Sequence, residues 1–179
     1  MIIKPLRQYN ESDVINMFAY NGASASKGLL VKVDGEGWKS TDEPMGMDGS
    51  AGGSVANTAS ARYATTAKII VAGSGDNALG MLLMDVKETD ENGEKLIFNP
   101  RKAAEMGVVV SGQSVPVLSR GIILYSGAVL AAESFSAGDK LYGAASGEIT
   151  SVAGGTKVVI GKALGDKDTN NFVLIKLEL

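Results

Sequence analysis

From Ser119 to the C-terminus the apolar positions come in short runs cut by glycine and polar turns. R-G-I-I-L-Y-S-G is followed by A-V-L-A-A. Next, S-A-G-D-K-L-Y-G-A-A-S-G-E-I-T holds turn signals at Ala137-Gly138-Asp139 and Ser146-Gly147. K-V-V-I-G-K-A-L-G, the polar D-K-D-T-N-N and F-V-L-I-K-L-E-L complete the chain. Alternating or β-branched residues after each turn predict half-buried strands. In the last strand Val173, Ile175, Leu177 and Leu179 share one face, which is predicted to be core, while Lys176 and Glu178 look outward. Short strands at this spacing point to a barrel or sandwich, not to a parallel sheet with crossover helices.

The earlier part of the chain adds fewer signals. Ser12 is placed to cap a short helix, D-V-I-N-M-F-A-Y, with Val14, Ile15, Met17 and Phe18 as its apolar stripe and Asn21-Gly22 as its stop. So short a helix must dock on the body or on another chain. G-L-L-V-K-V then opens the strands. S-A-S-K-G-L-L-V resembles S-F-S-A-G-D-K-L, each with Ser-x-Ser-x-Gly before an apolar strand. M-L-L-M-D-V-K-E is predicted to pair with E-K-L-I-F across Asn92-Gly93. P-R-K-A-A-E-M reads as a short helix with Asn99 as cap and Gly107 as stop. The expected fold is mainly β: a small antiparallel β-barrel or β-sandwich with one or two short helices and an extended N-terminal arm. Residues 1–21 form the arm and helix, and residues 22–179 form one β-rich domain with a flexible loop at about 41–60, where large apolar residues are few. Its core should include Leu30, Val31, Ile70, Leu83, Ile97, Ile123, Leu141, Val159, Val173 and Ile175.

Composition narrows the chemistry. The 179 residues include no Cys and no His, which removes disulfides, thiolate metal sites and the commonest general base. With 17 Lys and Arg against 20 Asp and Glu the net charge is -3, with no basic run to neutralise a row of phosphates, so no nucleic acid is expected. Nor is a membrane partner, since no run reaches the length of a span. Pro5 and Arg7 stand where a secretory signal needs its apolar centre, so synthesis in a cytoplasm is expected.

Each motif that suggests a site has a plainer reading. K-I-I-V-A-G-S-G-D-N-A fits Gly-x-Gly-x-x-Ala, but Asp76 would face the pyrophosphate and no βαβ repeat follows, which favours a β-turn. Asp166-x-Asp168-x-Asn170 opens like a calcium loop, yet Asn171 and Leu177 stand where that loop needs Gly and Glu. Asp139 and Glu148 lie on turn signals of one predicted hairpin. The serines between Ser111 and Ser126 have no histidine to activate them. No catalytic residue, metal or cofactor is expected.

Taken together, the apolar strand, A-G-D-K-L-Y, G-E-I-T, V-I-G-K-A-L-G and V-L-I-K-L of the last third resemble the head-decoration, or capsid-stabilising, proteins of tailed bacteriophages. Y-N-E-S-D-V-I-N-M-F-A-Y is similar to N-terminal segments of phage virion proteins. The resemblance implies a structural, non-catalytic cement protein on the exterior of the phage head. It would bind the major capsid protein lattice and bridge capsomers, commonly as a homotrimer. Its contacts would come from the arm, the loop and Trp38 between them: Ile3, Pro5, Leu6, Tyr9, Phe18, Trp38, Met45 and Met47. A carbohydrate-binding or adhesive module, with Trp38 as anchor, and an enzyme using carboxylates on a β-scaffold are the alternatives.

Overall fold

The computed structural model describes residues 2–5, 10–35, 37 and 67–179. In chain order the strands are β1 (Ile2–Pro5), β2 (Val14–Ile15), β3 (Ala19–Tyr20), β4 (Ser24–Ala25), β5 (Leu30–Val33), β6 (Lys68–Val71), β7 (Gly80–Leu82) and β8 (Asp85–Lys87). Helix α1 (Pro100–Met106) and β9 (Val108–Val110), β10 (Val117–Leu118) and β11 (Arg120–Ser126) follow. Helix α2 (Ala128–Ala132) precedes β12 (Lys140–Gly143), β13 (Ile149–Thr150), β14 (Val159–Ala163) and β15 (Val173–Glu178). The protein is mainly β, as expected, with curled antiparallel sheets consistent with a small barrel or sandwich.

Sheet A has the order β1-β11-β15-β14-β12-β13, sheet B the order β2-β10-β7-β5-β6-β3, and the small sheet C the order β4-β8-β9. All pairings are antiparallel except β3 with β6 and β8 with β9. Sheet A buries one face only, and its strands alternate accordingly: Val173, Ile175 and Leu177 are buried while Lys176 and Glu178 are exposed. Sheet B is covered on both faces. Leu30, Met81 and Leu118 join the inner residues of sheet A, including Ile123, Tyr125, Leu141 and Ile175, in one cluster. Val31, Ile69, Leu82 and Val117 join Phe18, Val86 and Val115 in a second. Continuous apolar runs such as Leu29-Leu30-Val31 are therefore what sheet B requires.

Only Ser119 separates β10 of sheet B from β11 of sheet A. Its N–H donates to the Asp13 carbonyl at 2.9 Å, extending the β10–β2 ladder, and its carbonyl accepts from Leu179 N–H at 3.1 Å, extending the β11–β15 ladder. The strand thus passes directly from one sheet to the other.

Helix α1 forms as predicted. The Asn99 side chain accepts from Lys102 N–H, Pro100 occupies the first turn, and Gly107 closes the helix in the left-handed conformation. Four expectations need correction. The helix over residues 13–20 is absent: Glu11–Asp13 is a 3-10 turn and β2 and β3 follow. Val14 packs on the first cluster and Ile15 on the second, opposite sides that only the two-residue period of a strand can serve. Ile2–Pro5 of the expected arm does not project, because β1 pairs with β11 from Ile2↔Ser126 to Pro5↔Ile123. The hairpin expected between M-L-L-M-D-V-K-E and E-K-L-I-F is reduced to an isolated bridge, Thr89↔Lys95: Leu96–Phe98 turns into a 3-10 helix, and β8 pairs with β4 and β9 instead. Ala128–Ala132, placed within the run of strands, is helical.

In the core, Leu30, Val31, Ile123, Leu141, Val173 and Ile175 are buried as expected, and Leu83 and Ile97 pack partly buried at its margins. Ile70 yields its place to Ile69, and Val159 (41% exposed) to Ile160. The second shift has a visible cause. The β12–β14 register slips between Leu141↔Gly161 and Tyr142↔Val159, so a bulge at Ile160 reverses the side-chain phase.

Candidate functional site

The carboxylates that suggested chemistry are engaged in holding turns. Asp76 accepts from Gly73 N–H at 2.7 Å and pairs with Lys32 at 2.9 Å. The Lys32 contact, then the Gly73 bond, holds its carboxyl below the usual range. Gly75 has φ of +89°, so Gly73–Ala78 is a turn closed on its own side chain, with an anion already filling the place a phosphate would need. Asp168 accepts from the N–H groups of Asn170 and Phe172, both at 2.8 Å, and Asn171 takes a left-handed conformation, an arrangement of an ordinary tight turn. Asp139 accepts from Ser136 N–H, and Glu148 accepts from Val129 N–H in the first turn of α2. Among the described residues no group of three His, Cys, Asp or Glu side chains is placed to hold a metal ion.

Glu133, which the sequence did not single out, is a heavily bonded carboxylate. It accepts from the Thr150 hydroxyl, the Ser151 N–H and the Ser151 hydroxyl, tying the end of α2 to the end of β13. Burial pushes its carboxyl up, but those bonds and the nearby Lys157 outweigh this and hold it below the ordinary range. Lys167 reinforces the same corner by donating to the carbonyls of Ala131 and Glu133. No residue pattern marks this clamp, because its members are brought together by the return of β13 beside α2.

The expected contact residues divide in three. Ile3 and Phe18 are buried in the protein's own clusters, so they are core and not surface anchors, a correction that follows from the strand pairing of their segments. Pro5 lies in β1, opposite Ile123. Leu6, Tyr9, Trp38, Met45 and Met47, with the whole 41–60 loop, lie outside the described residues.

What the fold does present is the outer face of sheet A. Ile122, Lys176, Lys162 and Lys140 stand side by side on β11, β15, β14 and β12, each in direct register with the next. The three lysines are exposed. Leu124 and Leu174, also in register, lie one row further along and are half-buried, with the exposed Leu164 beyond them. Like charges directly opposite across a ladder repel. Within this row Lys176 pairs with Glu178, whose carboxyl its ammonium holds below the usual range, with Lys162 and Arg120 adding to the effect. The sequence shows Lys176 looking outward, but strand pairing alone aligns it with Lys140 and Lys162. No protein-family model matches the chain, and neither a curated protein nor a solved structure matches it.

Proposed function

We propose that the protein is a structural binding protein that docks by the outer face of sheet A onto an acidic protein surface, namely the exterior of an assembled phage head, where it bridges capsomers as a cement. The observation that carries this reading is the lysine row beside an apolar row on a broad sheet face. Such a face offers area and charge complementarity rather than an enclosed reaction site. The edge strand β1 borders it and has one side unpaired among the described residues, so a neighbouring chain could add to it. Weak contacts repeated over a lattice give strong retention without high affinity at any single site.

The test is co-sedimentation with assembled heads stripped of decoration. The intact protein should pellet with heads, less so as salt rises. A variant carrying Lys140→Glu, Lys162→Glu and Lys176→Glu should be retained at least about tenfold less while keeping its strand-dominated circular dichroism. Equal retention of this variant would sink the reading.

A further inference from the structure

Sheets A and B contain the same topology. In chain order β2, β5, β6, β7 and β10 make one set, and β11, β12, β13, β14 and β15 another. In both sets the first strand pairs with the fifth, the fifth with the fourth, the fourth with the second and the second with the third, always antiparallel. Register agrees as well as order. Gly28 N–H donates to the Leu82 carbonyl and Leu82 N–H to that of Leu29, at 2.7 and 2.9 Å. Gly138 N–H donates to the Ala163 carbonyl and Ala163 N–H to that of Asp139, at 2.8 and 2.9 Å. Gly28 and Gly138 have φ of +88° and +96° and end the two Ser-x-Ser-x-Gly turns.

The fourth strands supply an independent match. Each has a buried glycine, Gly80 or Gly161, at the corresponding position. A Cβ on Gly80 would lie 2.5 Å from the Leu118 carbonyl oxygen, and one on Gly161 would collide with that of Lys176. Leu118 and Lys176 are themselves equivalent in register, as Met81↔Leu118 and Lys162↔Lys176 show. A close approach of backbone to backbone at the same place in both sheets explains why both positions are glycine.

Aligned this way, the outer row of sheet B is Leu30, Met81, Leu118 and Val14, and the outer row of sheet A is Lys140, Lys162, Lys176 and Ile122. The sheet B row packs on the inner face of sheet A. We infer that the chain is two copies of one five-stranded unit stacked outer face to inner face, and that the three lysines on the second copy keep its outer face from being covered by another copy of this chain. With the first copy's apolar residues there, that outer face would be an exposed apolar sheet able to pair with the same face of another copy, and terminal units of stacked repeats need a polar outer face for that reason. The inference does not depend on the proposed docking to heads.

The test installs the first copy's residues in the second: Lys140→Leu, Lys162→Met and Lys176→Leu in one full-length chain. A control carries Lys87→Leu, Lys95→Met and Lys102→Leu elsewhere on the surface. By sedimentation at micromolar concentration, without heads, the first variant should at least double in mass relative to the parent, with its strand signal kept, and the control should sediment as the parent does. Parental mass for the folded first variant, or equal association of the control, overturns the inference. So does loss of fold in the first variant, since the equivalent backbone positions of sheet B already carry those side chains.

Discussion

At the scale of single residues, Tyr125 shows how this core handles a polar atom. Its ring is fully buried, and its hydroxyl accepts a hydrogen bond from Ile149 N–H at 3.3 Å. Burial pushes its ionisation well above the ordinary tyrosine range, so it stays neutral at any working pH. Tyr125→Phe keeps the ring but leaves that N–H without its acceptor, and should cost about 1–3 kcal/mol in denaturant unfolding, with an unchanged fold. Glu133 gives a pH dependence of known sign. Its folded pKa lies below its unfolded value, so its contribution is complete above the unfolded carboxylate range and is lost as pH falls through the folded value. Melting temperature should therefore drop on acidification below about pH 4.5. Glu133→Gln should lower stability at neutral pH and flatten part of that acid slope; a slope identical to the parent's would remove Glu133 from the explanation.

At the scale of elements, the N-terminal strand carries a prediction opposite to that for a free arm. Ile3 is buried against Tyr125 and its neighbours, and β1 covers the β11 edge. Deleting Met1–Gln8 should lower stability by about 2–4 kcal/mol, read from the denaturant midpoint, because an isoleucine's burial and an edge ladder are lost together. An unchanged midpoint would show that β1 does not hold the edge. Legibility from sequence follows the range of the forces involved. Asn99, Pro100 and Gly107 act on the backbone within a few residues, so α1 can be read outright. The Val14–Tyr20 stretch shows spacings that suit a helix, and only the presence of one sheet on each side makes a strand of it. Alternation running back from Ala163 puts Val159 in the core. The bulge at Ile160, which breaks that alternation, exists only through β12. The candidate face has the same origin: each lysine is visible as an outward residue, but their alignment is a product of register.

At the scale of the whole molecule, retention on heads and the association of the three-lysine variant separate two uses of one surface, since the first needs an acidic partner and the second only another copy. In a trimer of the kind the resemblance implies, a lysine face that docks on heads lies outside the subunit contact, so the Lys→Glu variant should keep the parent's mass in sedimentation while losing heads. A fall to monomer would place that face within the subunit contact instead. Ser119 bears on how the molecule comes apart. Because this one residue is bonded to both ladders, there is no slack between the two units, and neither can swing away while the other keeps its strand at the junction. Calorimetry should give a single transition whose van't Hoff and measured enthalpies agree, despite the doubled architecture. Inserting a flexible Gly-Ser segment after Ser119 should lower the transition temperature, while the core shared by sheets A and B keeps the transition single. In the native chain, a load applied to one unit passes along a continuous backbone into the other, as it would through a splice rather than a hinge.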